Sequence, residues 1–305
     1  MSEAYDMGKT VQLKLKERKS FFKTDGWKRF SKNKLALVGA GLLLIMVCFA
    51  ILAPVIVRND PYSSLRNGGK ILKNMSPAAS GTILGTDSLG RDVFSRVVYA
   101  ARISLSVGIV AVGISTGVGI ILGSLAGYFG KWVDLLIMRI VDVVYCFPVL
   151  FLVIIIATIL KPSIYNVMIV IGLCNWTGTA RFVRGEILRV RELDYVQASV
   201  SLGVPNGRTI IRHIIPNAMA PIIVESTLQM AGAILTEAAL SYLGVGVQMP
   251  TASWGNMLME ANNIAALTLR PWQWVPPGLC ILLAVLSINF IGDGLRDAFD
   301  ARQKK

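Results

Sequence analysis

The chain has 305 residues, of which 54% are hydrophobic and only 16% are charged. Soluble domains carry about 25% charged residues, so this composition excludes an ordinary water-soluble fold and predicts an integral membrane protein. The formal net charge of +13 fits nucleic acid, anionic lipid or cytoplasmic loops, and its position along the chain decides among them.

Apolar segments of the length that crosses a bilayer, about 20 residues, recur along the chain and predict an all-α fold with six transmembrane helices. In chain order the predicted spans are 35–57, 103–129, 134–160, 162–180, 216–242 and 271–292. The first is interpreted as a retained span rather than a cleaved signal peptide, because a long polar arm precedes it. The second is rich in glycine, which favours close helix packing.

Basic residues concentrate outside the spans, in the arm 1–34, the loop 181–216 and the tail 296–305. With six spans these regions share one side of the membrane, and the positive-inside rule makes that side the cytoplasm, with both termini there. Segment 58–102 then forms an external loop and elbow, and 103–295 forms a five-helix core. Topology and anionic headgroups account for the charge, so membrane lipid is predicted as a partner and nucleic acid is not.

The loop 181–216 is too polar to enter lipid, yet it has a helical pattern. Residues 186–202 contain no Gly or Pro and predict a helix, which Gly203 ends because glycine adopts the left-handed conformation readily. A second short helix is predicted over 208–215. Tyr195, Ser199 and Leu202 share one face of the first helix. That helix either docks into a groove on another protein or lies in the headgroups, and the pattern leaves both possibilities open.

The segment Tyr195-Val196-Gln197-Ala198-Ser199, followed by Gly203 and Ile215-Pro216-Asn217-Ala218, resembles the EAA loop of bacterial ABC-importer permeases. In that family the loop forms the coupling helices that sit in a cleft on the ATPase subunit. The family's Glu-Ala-Ala is here Gln197-Ala198-Ser199, and the glycine is retained. The resemblance therefore implies ATPase coupling through Tyr195, Val196, Gln197, Ala198, Ser199, Leu202 and Gly203.

A second motif precedes the second span and comprises Gly85, Thr86, Asp87, Gly90, Arg91 and Asp92. It is similar to the Gly-Thr-Asp-x-x-Gly-Arg-Asp segment of the C-type permease subunit of dipeptide and oligopeptide importers. The segment from Glu237 to Gly246, with Ser253-Trp254-Gly255 after it, also resembles that subfamily. We interpret the motif as an ordered external elbow in which Asp87 and Asp92 form turns and caps, in preference to direct contact with substrate.

Ionisable residues inside the predicted spans are candidates for function. Glu225 and Glu237 in the fifth span either line a translocation path or hydrogen-bond a neighbouring helix, and both alternatives remain open. Asp134, Arg139 and Asp142 begin the third span, where we expect them to form ion pairs or reach the headgroups. Cys48, Cys146, Cys174 and Cys280 lie in apolar runs and are interpreted as small hydrophobic residues, so no metal site is predicted.

The sequence contains neither a nucleophile with its base nor a phosphate-binding loop, so the chain is predicted not to be an enzyme and to bind no cofactor. The resemblance implies a type I ABC-importer permease in the bacterial cytoplasmic (inner) membrane. Its implied partners are a second, B-type permease, two ATP-binding subunits that hold ATP and Mg²⁺, and an extracytoplasmic substrate-binding protein. The implied cargo is di- or oligopeptides, carried by alternating access. The alternatives are an importer for nickel or another small solute, and a secondary transporter.

Overall fold

The computed structural model describes residues 25–160 and 163–299, which are predominantly helical. The basic residues of the arm before residue 25, Pro162 at the start of the predicted fourth span and the tail from residue 300 lie outside this part. The helices are α1 (Asp25–Phe30), α2 (Lys34–Ile56), α3 (Pro77–Ser80), α4 (Val93–Phe129), α5 (Lys131–Tyr145), α6 (Val149–Ile159), α7 (Ile164–Arg191), α8 (Asp194–Ser201), α9 (Asn206–Thr209), α10 (Ile215–Tyr242), α11 (Trp254–Met257), α12 (Ile264–Leu269) and α13 (Pro271–Phe299).

Three shorter features complete the described chain. Strands β1 (Arg66–Asn67) and β2 (Lys70–Ile71) form a small antiparallel hairpin in the segment after α2. A π-helical turn, Ile210–Ile214, joins α9 to α10, and a 3₁₀ turn, Leu258–Asn262, follows α11. The segment between α2 and α4 is therefore an ordered structure and not a slack loop.

Within residues 25–160 and 163–299, four helices are long and apolar enough to cross a membrane. They are α2, α4, the continuous helix Asn206–Tyr242 that contains α10, and α13. Helix α7 is not one of them, because polar residues such as Asn175, Thr179 and Arg181 interrupt its apolar sequence. The predicted count of six spans thus stays a prediction.

The predicted third span, 134–160, is divided by a break into α5 and α6. The two helices are bent by 83° relative to each other and pass as a single span only when taken together. Pro148 stands immediately before α6. A proline has no amide hydrogen to continue the helix, which accounts for the position of the break.

Helices α4 and α7 run parallel and pack at the distance that glycine allows. Gly119 of α4 faces Thr179 of α7, and Gly127 faces Ile187 farther along both helices. A methyl group on Gly123 would lie 2.5 Å from the backbone oxygen of Ala180, so no larger residue fits without separating the helices. The close packing predicted from the glycines of this span is confirmed.

The α5–α6 pair runs antiparallel to α7, since later residues of the pair contact earlier residues of α7. Asp134, early in α5, is bonded to Arg184, and Asp142, near the end of α5, is bonded to Arg181. Val153 of α6 packs in a cluster that contains residues from the start of α7. The pair therefore returns the chain from the end of α4 to the beginning of α7.

The beginning of α2 and the end of α13 lie at the same end of the bundle. The Asn33 side chain donates a hydrogen bond to Asp297 over 3.0 Å. Phe30, Ala36 and Ala298 form a small buried cluster next to this bond. The two ends of the described helical bundle are thus fixed to each other.

Candidate coupling segment and translocation path

Helix α8 packs on the bundle through two buried side chains, Val196 and Ser199. Val196 is fully buried in a cluster with Val183 and Ile187 of α7, Ile214 of the π-helical turn and Ala218 of α10. Ser199 is also buried, with its hydroxyl 3.5 Å from that of Thr209. The helix that carries the proposed coupling residues is thereby packed on the ends of two long helices.

The predicted single helix over 186–202 is wrong, because α7 ends at Arg191 and α8 begins at Asp194. The Gln197 side chain donates to the carbonyl of Arg191 over 3.0 Å, which satisfies an acceptor that the end of a helix leaves without a partner. The Arg191 guanidinium donates to the carbonyls of Gly127 and Tyr128 at 3.1 and 3.2 Å. These bonds hold the end of α7 against the end of α4 and redirect the chain.

A tight turn follows α8, as the sequence predicts. Gly203 has a φ of 75°, a left-handed conformation that side chains disfavour. Its amide donates to Val200 at 2.9 Å, and the amide of Val204 donates to Ser199 at 3.2 Å. The predicted separate helix over 208–215 is wrong, because α9, the π-helical turn and α10 form one continuous helix.

The outward side of α8 and its turn is apolar and exposed. Tyr195 is 44% exposed and Leu202 is 83% exposed, and Gln197 and Ala198 also face outward. Ile211 is exposed on the neighbouring turn. Ser199 points inward, so the three residues predicted to share one face do not share one environment. An apolar patch within a polar loop is typical of a protein–protein contact.

The motif from Gly85 to Asp92 is a compact hydrogen-bonded turn. Asp87 accepts from the amides of Leu89 and Arg91 at 2.9 and 2.8 Å, and from the Arg91 guanidinium at 2.7 Å. A second guanidinium, that of Arg96, lies 3.6 Å from the same carboxylate. Asp87 and both arginines are buried, which leaves them little room for contact with cargo.

The remaining residues of this motif fix where α4 begins. Asp92 caps α4 by accepting from the Phe94 amide at 3.3 Å, and it also accepts from the Asn59 side chain at 3.2 Å. The Thr86 hydroxyl donates to the carbonyl of Leu72 over 2.5 Å. Gly85 has a φ of 77°, and a methyl group there would lie 2.6 Å from a backbone oxygen. The turns and caps predicted for Asp87 and Asp92 are present.

Glu237 is fully buried and hydrogen-bonded to neighbouring residues. Its carboxylate accepts from Ser241 of α10 at 2.7 Å and from Ser104 of α4 at 3.1 Å. The Ser104 hydroxyl in turn accepts from the amide of Trp254 at 3.2 Å. Of the two alternatives left open by the sequence, this geometry favours hydrogen bonding between helices over a place on an open path.

Glu225 has a different environment, on a polar stripe of α10. It accepts from Gln229 at 3.2 Å, and Gln229 accepts from Thr179 of α7 at 3.1 Å. Thr179 is also 3.0 Å from the Ser115 hydroxyl of α4. These bonds connect three helices around a cavity of about 170 Å³, which Gln229, Gly232 and Thr236 line from α10. Glu225 also lines a second cavity, of about 450 Å³.

Sequence reasoning missed Gln229, Ser115 and Thr179 as members of this polar stripe. A signal was present in the spacing of Glu225, Gln229, Gly232 and Thr236, which puts all four on one face of a helix.

The pairing expected for the charges at the start of the third span is confirmed. Asp134 binds Arg184, and Asp142 binds Arg181 at 2.9 Å and lies 4.0 Å from Arg139.

A bundle of apolar helices with internal polar cavities, and with a polar loop folded at one end, is typical of a membrane permease subunit. Residues 119–305 match the family described as binding-protein-dependent transport system inner membrane component. Residues 20–77 match the N-terminal transmembrane domain of oligopeptide transport permease C. The chain belongs to the family of binding-protein-dependent inner membrane permeases, which confirms the resemblance to ABC-importer permeases and disfavours the secondary-transporter alternative.

Curated relatives match along most of the chain. The dipeptide transport system permease protein DppC of Alkalihalophilus pseudofirmus is 41% identical over 280 residues, covering 92% of this chain and 90% of that protein. The oligopeptide transport system permease protein OppC of Bacillus subtilis is 39% identical over 281 residues, covering 92% and 90%. The di/tripeptide transport system permease protein DppC of Pseudomonas aeruginosa is 41% identical over 283 residues, covering 91% of each.

Proposed function

We propose that this chain is the C-type permease subunit of an ATP-driven importer of di- and oligopeptides. The names of the relatives, at about 40% identity along nearly the whole chain, support peptides as the cargo. The proposed complex contains a B-type permease, two ATP-binding subunits and an extracytoplasmic substrate-binding protein. ATP and Mg²⁺ bind to the partner ATPases, and this chain transmits their motion.

The observation that supports the coupling role is that one side of α8 is buried against the bundle while the other side is exposed. Val196 locks the helix to α7 and α10, while Tyr195 and Leu202 are presented outward. A movement imposed on that exposed side passes directly to two long helices, because the buried side is close-packed and transmits displacement as a rigid body. Gln197, Ala198 and Gly203 complete the proposed contact with the ATPase, and Val196 and Ser199 act as its internal support.

Helix directions support six crossings with both termini in the cytoplasm. Because α4 and α7 run parallel, we expect the chain to recross the membrane between them, and the bent α5–α6 pair supports that crossing. The bond between Asn33 and Asp297 brings the start of α2 and the end of α13 together, which supports an even number of crossings. Counting α7 as a crossing gives six, and the basic residues assign the shared end to the cytoplasm.

The proposed path follows the polar stripe of α10 that contains Glu225 and Gln229. Polar groups inside a membrane are costly unless they serve a water-filled route or bond one another, and both cavities adjoin this stripe. We propose that Glu237 does not line the path, since both of its carboxylate oxygens accept hydrogen bonds from serine hydroxyls. The B-type permease supplies the opposite wall.

The test is uptake of radiolabelled peptide by proteoliposomes that contain the full complex, together with co-purification of the ATPases. Leu202→Asp and Tyr195→Asp introduce a charge into the proposed contact, where burial would leave it unpaired. Ile83→Asp is the matched control, because Ile83 is similarly exposed but lies in the external segment. We expect the first two variants to lose the ATPases or the coupling of hydrolysis to uptake, and Ile83→Asp to retain its ATPases.

Two outcomes would contradict the proposal. If Leu202→Asp and Tyr195→Asp both co-purify with ATPases and import peptide normally, the coupling contact lies elsewhere. If the intact complex imports nickel or another small solute and no peptide, the cargo assignment is wrong while the permease role stands.

A further inference from the structure

The larger cavity, of about 450 Å³, lies among α7, α10 and α13 at the end of the bundle that carries α8. Its volume is in the range of pockets that hold small organic ligands. Two acidic and two basic side chains line it: Glu186 and Arg189 from α7, Glu225 from α10 and Arg296 from α13. Phe182 and Leu228 contribute apolar wall between these charges.

The four charges differ in how far they are already bonded. Glu186 and Arg189 form an ion pair with each other, at 2.7 Å. Glu225 accepts only from the neutral amide of Gln229 among the described residues. Arg296 takes part in no ion pair within residues 25–160 and 163–299. Among the described residues, one carboxylate and one guanidinium, on two different helices, are therefore without a partner of opposite charge.

This arrangement fits a small zwitterion. A carboxylate binds an ammonium group, and the planar guanidinium of arginine binds a carboxylate through two parallel hydrogen bonds. A free peptide carries both groups at its ends and side chains between them. We infer that this cavity is a release-side binding site for short peptides, in which Glu225 holds the amino terminus and Arg296 the carboxyl terminus.

The inference rests on the proposed function and adds a site at which bound peptide changes the rate of the transport cycle. The cavity is lined by α7 and α10, the same helices that pack around Val196 of α8. A peptide that bridges α7, α10 and α13 stabilises the conformation in which the cavity is open. Peptide that accumulates on this side therefore slows further transport.

The binding test uses the purified complex of permeases and ATPases without the substrate-binding protein, and radiolabelled alanyl-phenylalanine as the probe. We expect Glu225→Gln and Arg296→Gln each to weaken binding roughly tenfold, the effect of losing one charged hydrogen bond. N-acetylated peptide should bind the wild-type complex as weakly as free peptide binds Glu225→Gln. N-acetylated peptide should bind Glu225→Gln no more weakly than it binds the wild type, because acetylation and the substitution remove the same contact.

Matched controls change charge outside the cavity. Asp293 lies on α13 and Arg139 on α5, and both are exposed and absent from the cavity wall. Asp293→Asn and Arg139→Gln should bind the peptide like the wild type. A second readout is the rate of peptide uptake when peptide is also present on the release side of the proteoliposomes. That peptide should slow uptake by the wild type and slow it less in Arg296→Gln.

Equal binding of free and end-blocked peptides, or wild-type binding by both cavity variants, would overturn this inference. A complex that imports peptide but binds none without its binding protein would also overturn it, while the proposed function stood. A complex that transports no peptide at all would overturn both.

Discussion

Arg184 of α7 binds Asp134 of α5 through two hydrogen bonds, from Nε at 2.5 Å and from Nη2 at 2.6 Å. A second bond joins the same helices, from Arg181 to Asp142, and the Arg181 guanidinium stacks 4.5 Å from the centre of the Tyr145 ring. Helix α7 leads directly into the break before α8. The pairs therefore fix α5 to the helix that supports the proposed coupling segment.

Breaking the first pair should lower the stability of the assembled complex. We expect Arg184→Gln or Asp134→Asn to cost about 1–3 kcal/mol, because each leaves a half-buried charge without its partner. The double variant should lose less than the sum of the two, since it leaves no unpaired charge. The measurement is the apparent melting temperature of the purified complex.

Arg139→Gln is the control for this experiment. The ion pair of Arg139 with Asp142 is long, at 4.0 Å, and exposed, and such pairs contribute little. A fall in melting temperature with Arg139→Gln as large as that with Arg184→Gln would mean that total charge matters and the specific pair does not.

Helix packing between α4 and α7 should tolerate no side chain at Gly123. Gly123→Ala puts a methyl group 2.5 Å from the Ala180 carbonyl oxygen, so the helices must separate and lose close contacts. Gly117→Ala, on the same helix, meets nothing within 4 Å and should be neutral or stabilising by up to about 1 kcal/mol. Thermal unfolding of the two variants distinguishes them, and equal stability would argue against tight α4–α7 packing.

Glu237 should act through its hydrogen bonds and not through cargo. Glu237→Leu leaves the hydroxyls of Ser104 and Ser241 without an acceptor, at a cost of about 1–3 kcal/mol. Glu237→Gln keeps one acceptor oxygen and should assemble with a peptide KM close to the wild type. Kinetics of peptide uptake provide the measurement. A several-fold change in KM for a stably assembled Glu237→Gln would place this side chain on the path after all.

The turn after α8 should require glycine at one position only. Gly203→Ala meets no neighbouring atom, so its cost of about 1–2 kcal/mol comes from the left-handed backbone alone. Gly207→Ala, four residues on, has neither a positive φ nor a close neighbour. The number of ATP molecules hydrolysed per peptide imported should rise for Gly203→Ala and stay unchanged for Gly207→Ala. The same ratio in both would show that the turn conformation is not needed for coupling.

Local signals predicted several elements correctly. The apolar runs of α2, α4, α10 and α13 are visible in the sequence because a bilayer demands length and hydrophobicity from neighbouring residues. The turn at Gly203 and the cap formed by Asp92 could also be predicted, since each depends on the conformation of a few adjacent residues. The breaks before α6 and after Arg191 were missed, although Pro148 was a visible signal for the first.

The amino-acid sequence by itself determined that this protein is a membrane permease, where its apolar helices lie and which loop carries the motif that resembles the EAA loop. Only the tertiary structure decided which residues of that loop point inward, that Glu237 bonds serines while Glu225 adjoins a cavity, and that Arg184 pairs with Asp134. Glu225 and Glu237 occupy the same apolar helix and differ in their burial and in the groups that surround them. That difference depends on contacts between residues far apart in the chain, such as Ser104 with Glu237.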